Sequence, residues 1–390
     1  LDDGNARCLG YRPALKKPYQ YLTYKEVLEK ARDFGSALIN KLHLKPGDET
    51  YLGIYARNCP EWFISAFGCT LQSVSIVPLY DTFGPDAITY ILQQIQMTTI
   101  VVDTFAKAEK LLAKSELFPS LKTIIVIEEK LPEKLTENYR TAQIYTFNEI
   151  LKEGHNDIAE MNLPKPQNTY IICYTSGTTS FPKGVIISHR NIVANLSAFY
   201  LLLKKFSPDF FLHNPFTTIS YLPLSHMFEQ MCHWFTFLVG GSTSYYSGNI
   251  QLLTEDLADI QPNLLPVVPR LLNRFYDLIQ VKLKKGNPVV RALFNYAYQK
   301  KLAMLKEGII CNDTIWDKLI FQRLQAKLGG KVQFMAIGSA PISAEVLETC
   351  RVVFGAVIIE GKTDFSEDQF LMDHVSSSEN LKLSLCDVKV

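Results

Sequence analysis

The chain has 390 residues, 47% of them hydrophobic and 20% charged, with 40 Lys and Arg against 39 Asp and Glu. This composition excludes a disordered, collagen-like or low-complexity chain, and a formal net charge of +1 offers no global basic field for a nucleic acid partner. A chain of this length is expected to bury roughly three quarters of its unfolded surface in two or three domains. Along the sequence, Thr23 followed by Glu26 reads as a capping box opening a helix through about residue 42, with Val27, Ala31, Phe34, Leu38 and Leu42 on one stripe. A Lys45-Pro46-Gly47-Asp48 turn stops it. Residues 51–55 read as a strand, Pro60 starts a helix, 75–79 read as strand, 86–94 as helix, and 99–103 and 123–127 as strands. Residues 128–138 are charged and read as a surface loop, and Asn162-Leu163-Pro164-Lys165-Pro166 is the best candidate for a subdomain boundary. Beyond it, 170–174 and 185–187 read as strands, a helix begins at Asn191, and a strand lies near 219–222. Residues 270–285 read as a basic amphipathic helix with Leu271, Phe275, Leu278 and Ile279 on one stripe, either solvated or resting on a membrane. Helices over 317–328 and 343–354 flank an apolar strand over 332–337, and the Ser-, Asp- and Glu-rich residues 362–390 break the pattern.

Alternation of this kind predicts an α/β fold with largely buried parallel strands. The eight cysteines are scattered without a C-x-x-C, several inside apolar runs, as expected of buried reduced thiols in a cytosol-facing protein. No apolar run reaches the about 18 residues of a membrane-spanning helix, and Leu1-Asp2-Asp3-Gly4 has no leader pattern. A first residue other than Met reads as a processed form or a fragment, to which an anchor could have been attached.

The densest chemical signal is Tyr174-Thr175-Ser176-Gly177-Thr178-Thr179-Ser180-Phe181-Pro182-Lys183-Gly184, set between two apolar strand-like runs. Glycines let backbone N–H groups approach a ligand, hydroxyls donate to oxyanions, and the lysine neutralises phosphate charge. No Gly-Lys-Ser/Thr occurs, so the loop is not a Walker A. The competing reading is a polar surface hairpin.

This loop resembles the phosphate-binding signature of the adenylate-forming enzymes, Tyr-Thr-Ser-Gly-Thr-Thr-Gly-x-Pro-Lys-Gly, with Ser180 in place of a glycine. The resemblance extends, in order, through Val77-Pro78-Leu79-Tyr80-Asp81, Tyr221-Leu222-Pro223-Leu224-Ser225-His226-Met227-Phe228-Glu229, Pro266-Val267-Val268-Pro269-Arg270 and Gly308-Ile309-Ile310-Cys311-Asn312-Asp313, and points to the long-chain acyl-CoA synthetases. It implies the large N-terminal domain of such an enzyme over residues 1–361, with layered sheets packed with helices and subdomains of about 1–163 and 164–361. It also implies activation of a long-chain fatty acid by ATP to an acyl-adenylate, followed by transfer to CoA, with Mg2+ as cofactor. Lys183 and Thr175 would then act on the polyphosphate, with Ser176, Gly177, Thr178, Thr179 and Gly184 supplying donors and close approach. Gly338, Ser339, Ala340 and Pro341 would lie against the adenine, where the bland alternative is an ordinary strand-to-helix turn. His226 would position substrate; with Glu229 three residues on, metal binding is the alternative. Trp234, Phe235, Phe237 and Leu238 could line an acyl tunnel, although core packing is the commoner role of such residues.

The family continues after its Ile-Glu-Gly strand with Tyr-Gly-Gln-Thr-Glu, where this chain reads Glu360-Gly361-Lys362-Thr363-Asp364. Asp364 could stand for the magnesium-binding glutamate. Nothing before Val390 matches the family's ribose-binding motif, hinge or lid lysine, so the expectation is a chain truncated before the lid, with a divergent tail over 362–390 and impaired ligase activity. The alternatives are a non-catalytic product that binds nucleotide or acyl chain, or regulates a synthetase, and a serine hydrolase using Ser180 and Lys183, which lacks that class's companion motifs. By family, the cytosolic faces of the endoplasmic reticulum, mitochondrial outer membrane and peroxisome are open, as are peripheral membrane association and oligomeric state.

Overall fold

The computed structural model describes residues 4–130, 142–175, 181–206, 216–338 and 342–360. They divide into two compact units, Leu1–Phe210 with Tyr221–Gly240, and Phe211–Ser220 with Gly241–Val390.

The first unit opens on an antiparallel pair, β1 (Arg7–Tyr11) and β2 (Gln20–Thr23). Helix α1 (Tyr24–Asn40) follows, and its capping box forms as the sequence predicts: the Glu26 N–H donates to Thr23 Oγ1 while the Glu26 carboxylate accepts from the Thr23 N–H at 2.7 Å. Then come β3 (Tyr51–Tyr55), α2 (Pro60–Leu71), β4 (Ser75–Pro78), α3 (Pro85–Ile95), β5 (Thr99–Val102), α4 (Phe105–Leu112), β6 (Thr123–Val126), β7 (Gln143–Thr146) and α5 (Phe147–Asn156). Strands β8 (Thr169–Thr175) and β9 (Lys183–Ser188) precede α6 (His189–Phe206) and α7 (Met227–Leu238). The sheet runs β7-β6-β5-β3-β4-β8-β9, parallel throughout except for the last strand. Every residue of β4, β5 and β6 is buried, which is why these strands read as continuous apolar runs rather than alternating ones. Helix α5, which has its own capping box at Thr146 and Glu149, packs tightly on α1: a Cβ on Gly154 would fall 1.7 Å from the Asp33 carbonyl oxygen.

The second unit holds β10 (Thr217–Ser220), β11 (Ser242–Tyr245), α8 (Leu253–Ile260), β12 (Leu264–Val267), α9 (Pro269–Lys285), α10 (Pro288–Lys306), α11 (Gln322–Gln325), β13 (Phe334–Ile337), α12 (Ala344–Phe354) and β14 (Val357–Glu360). Its strands lie parallel in the order β14-β13-β12-β10-β11.

Three expectations change. The boundary placed at 163/164 runs through the first unit. Its polar, proline-containing composition marks a solvated connection, yet the Asn162 N–H donates to the Leu71 carbonyl at 2.9 Å, and β8 beyond it pairs with β4. The helix expected over 317–328 is broken into a wide i→i+5 turn at Asp317–Phe321, then α11, then a tight turn at Ala326–Leu328. Asp317 is the cause: its carboxylate accepts from Lys301 Nζ at 2.5 Å, Gln325 Nε2 at 2.7 Å, and both the N–H and hydroxyl of Thr314, at 3.0 and 2.6 Å. On α9 the buried side chains are Pro269, Leu272 and Ile279, while Leu278 of the expected stripe faces outward. The surface loop read over 128–138 lies largely outside the described residues, and the tail over 362–390 wholly so.

Candidate functional site

Strand β8 is built from β-branched and aromatic residues, with all positions from Tyr170 to Tyr174 buried. It pairs antiparallel with the edge strand β9 in the register Ile172↔Ile186, Cys173↔Val185, Tyr174↔Gly184 and Thr175↔Lys183. Thr175 and Lys183, both exposed, are therefore directly opposite each other at the mouth of the connecting loop, residues 176–182. β8 also pairs parallel to β4, so this loop leaves the carboxyl edge of the sheet, where ligands of open α/β sheets bind. The ring of Phe181 stacks on Tyr90 with centroids 4.7 Å apart, which holds the end of the loop against α3. Gly184 has a steric role: a Cβ there would lie 3.0 Å from Ile172 Cγ2 and 3.1 Å from Tyr174 Cζ. The space is taken by the Tyr174 ring, whose hydroxyl donates to Gln94 Oε1 at 2.7 Å and whose pKa burial pushes up to about 12. Ser176, Gly177, Thr178, Thr179 and Ser180 lie outside the described residues.

The segment leading into α7 is tied to the same strand. Asn58, just past β3, donates from Nδ2 to the Leu222 carbonyl at 2.6 Å and accepts the Leu224 N–H on Oδ1 at 2.9 Å. Gln230 Nε2 donates to the Leu224 carbonyl at 2.7 Å and its Oε1 accepts from the Tyr170 hydroxyl at 2.9 Å, while that hydroxyl accepts from the Trp234 indole N–H at 2.7 Å. Cys173, two residues before Thr175, donates its thiol to the Ser225 carbonyl at 3.4 Å, and burial pushes its pKa up to about 11. These bonds bring His226, the residue after Ser225, to the end of β8 that enters the loop. Half-buried His226 caps α7 by accepting the Phe228 N–H on Nδ1 at 3.1 Å. Burial lowers its pKa, so the ring is neutral with its proton on Nε2, the one nitrogen left to donate.

Next to it, Phe235 is fully buried, Trp234 and Phe237 are half-buried against Phe63, and Leu238 faces outward. The Trp234 and Phe63 contacts are those of core packing. Glu229 is buried, and among the described residues no three His, Cys, Asp or Glu side chains gather as metal ligands. Asp364 lies outside the described residues. None of the seven cysteines among the described residues is bridged to another; five are buried, and Cys59 and Cys311 are half-buried.

In the second unit, Gly338 directly follows β13, is buried, and donates its N–H to the Val267 carbonyl at 3.3 Å. It starts a loop at the carboxyl edge of that sheet. The loop ends at Ser343, whose hydroxyl caps α12 by accepting the Val346 N–H at 3.3 Å. Ser339, Ala340 and Pro341 lie outside the described residues.

Sequence reasoning missed two features. Asn58 has no local signal, because its partners lie more than a hundred and sixty residues away. Lys107 bridges Asp81 at 2.5 Å and Asp103 at 2.9 Å, just past the carboxyl ends of β4 and β5. Burial opposes its charge, but bonds to the two carboxylates outweigh this and hold its pKa above the ordinary lysine value. The Asp103/Lys107 spacing of four residues was the one readable hint.

The chain spans about half the length of the curated relatives it matches. It is 38% identical to long-chain-fatty-acid–CoA ligase 5 of Rattus norvegicus over 365 residues, covering 92% of this chain and 52% of the relative. It is 39% identical to long-chain-fatty-acid–CoA ligase 1 of Homo sapiens, covering 92% and 51%. The peroxisomal long chain acyl-CoA synthetase 6 of Arabidopsis thaliana is 34% identical, with 93% and 50% covered. Among solved structures, the A-PCP didomain of the carboxylic acid reductase from Segniliparus rugosus, in complex with AMP, superposes with a TM-score of 0.71 at 19% identity. That match covers 92% of this chain and 50% of the other, and speaks for the fold alone. The profile of AMP-binding enzymes matches residues 3–364, from the first strands through both sheets and the β8–β9 loop, and on this ground the chain belongs to the AMP-binding enzyme family.

Proposed function

We propose that the chain forms the nucleotide- and acyl-handling part of an ATP-dependent ligase that activates long-chain fatty acids to acyl-adenylates and passes them to CoA. The observation that carries this reading is the β8–β9 hairpin, which sets Thr175 and Lys183 face to face at the mouth of the loop, within a chain 38% identical to a long-chain-fatty-acid–CoA ligase. In the reaction a carboxylate oxygen attacks the α-phosphorus of ATP and pyrophosphate leaves; the CoA thiol then attacks the acyl carbon and AMP leaves. Two anions must approach each other in the first step, and fixed cations and donors offset their repulsion. We assign Lys183 to the polyphosphate charge and the Thr175 hydroxyl to a phosphate oxygen, with Ser176, Gly177, Thr178 and Thr179 adding donors and close approach. His226, with its proton on Nε2, donates to the acyl carboxylate or the adenylate it becomes. Gly338 and residues 339–341 take the adenine. Magnesium would neutralise phosphate charge; the one ligand assigned to it, Asp364, lies outside the described residues. A cytosol-facing position at the endoplasmic reticulum, mitochondrial outer membrane or peroxisome belongs to the same proposal.

The test is palmitate-dependent exchange of pyrophosphate into ATP with magnesium, using this 390-residue chain and its Lys183→Ala variant. Exchange is expected, with a loss of about a hundredfold or more in the variant. Exchange absent from both refutes adenylation by this chain, and equal exchange in both refutes the role of Lys183.

A further inference from the structure

We propose that the tip of the α9–α10 pair is a docking surface for an anionic lipid bilayer. From Leu278 to Lys306 the sequence has no acidic residue. Its charges are all basic: Lys282, Lys284, Lys285 and Arg291 around the Gly286-Asn287 turn, and Lys300, Lys301 and Lys306 farther along α10. The rest of the chain has fewer Lys and Arg than Asp and Glu, so the concentration of positive charge is local. Lys301 is buried against Asp317, and the other cations are exposed.

Helix α10 carries two apolar faces. One, with Phe294 and Ala297, is buried beside Phe321 and Val353. The other is Val289, Leu293 and Tyr296, spaced to form a single stripe that ends on Lys300, and it is exposed, Val289 to 72%. Val281 on α9 and Val290 are exposed beside the turn. Trp316 meets Tyr296 edge-on at 5.2 Å, and exposed Ile315 and Leu319 flank it in sequence. A solvated helix turns polar side chains away from its core face; here aliphatic and aromatic groups stand outward within a rim of cations.

This combination fits a bilayer interface. Valine and leucine enter the acyl boundary, tyrosine sits at headgroup level, and lysine stems lie along apolar surface while their ammonium groups meet lipid phosphates. A nucleic acid would leave the aliphatic stripe uncovered. A second copy docked tip to tip would set cation against cation. Electrostatic attraction to an anionic leaflet strengthens binding about fivefold (~1 kcal/mol) per cation near the surface. The inference uses none of the residues assigned to adenylation, so either proposal can fail alone.

The test is co-sedimentation of the 390-residue chain with phosphatidylcholine vesicles, with and without phosphatidylserine, at low and physiological salt. Binding that needs phosphatidylserine and weakens with salt is expected. Lys284→Glu with Lys285→Glu should weaken it by at least about a hundredfold, and Val289→Ser with Val290→Ser by about tenfold. All four positions are exposed, and circular dichroism checks that the variants keep the fold. No sedimentation with phosphatidylserine vesicles overturns the proposal, as does sedimentation unchanged in both variants. Light scattering gives a third overturning result: a dimer that the serine variant converts to monomer without altering vesicle binding would assign the face to self-association.

Discussion

Replacing Lys301 by Met is the sharpest probe of how the second unit is held together. Lys301 and Asp317 are 4% and 1% exposed, and their ammonium and carboxylate meet at 2.5 Å. The carboxylate also accepts from Gln325 and Thr314, and the ammonium also donates to the Cys311 carbonyl at 2.9 Å. The whole cluster is therefore satisfied, and one missing partner leaves a charge in the interior that water cannot reach. Removing one member of such a pair costs about 3–5 kcal/mol. Met has nearly the volume of the lysine stem, so lost packing adds little, and the cost belongs to the stranded carboxylate. Adding Asp317→Asn to that variant removes the stranded charge and keeps an acceptor for the Thr314 N–H, so the double variant is expected to lose only about 1–2 kcal/mol relative to the parent. The two changes are thus non-additive by more than about 2 kcal/mol. Urea unfolding read by hydrogen exchange, with peptides from residues 294–328 followed separately from those of the first unit, measures each value locally. A loss below about 1 kcal/mol in Lys301→Met, or a double variant as unstable as the sum of the singles, would refute the reasoning.

Two further outcomes concern the first unit. Asn58→Ala removes the acceptor of the Leu224 N–H and the donor to the Leu222 carbonyl; Leu224 is buried, so the expected loss is about 2–3 kcal/mol. Hydrogen exchange should quicken in peptides spanning 221–230, and Asn58→Asp, which keeps the acceptor, should restore part of the protection; unchanged exchange in the alanine variant would rule out the clamp. Burial depresses the pKa of His233 from 6.5 to about 3, and that of His189 to about 4. A depressed imidazole pKa means that the unfolded chain takes the proton first, so stability is present at neutral pH and is lost as pH falls from 6.5 towards these folded values. His233 contributes at most about 1.4 kcal/mol per pH unit in that window. Urea midpoints across it should fall less steeply in His233→Phe than in the parent, and identical slopes would contradict the buried neutral ring.

Much of the architecture was legible because the relevant physics is local. Short apolar runs bounded by turn residues read as strands buried on both faces, and β3, β4, β5, β6 and β8 lie where those runs stand. Thr23 with Glu26, and Ser343 before Val346, satisfy helix-end N–H groups within a single turn, so the starts of α1 and α12 could be read directly. The loop after Thr175 could likewise be singled out from its residue types. Less visible were α10 and the β1–β2 pair, whose apolar spacing is weak or mixed with charge; α10 in particular carries two apolar faces where periodicity reports only one clean stripe.

What the sequence by itself determined is thus which segments are strand or helix, that the sheets are largely parallel, and which loop carries the densest set of anion-binding side chains. Only the tertiary structure decided that Thr175 opposes Lys183, that Asn58 fastens the segment carrying His226, that Asn162 is tied to the end of α2, and that Asp317 bends the helix after Trp316 around a buried lysine. Periodicity and capping depend on neighbours within a few residues. Strand register, a long-range clamp and a satisfied buried charge depend on which distant groups meet, and that is settled only when the chain has packed.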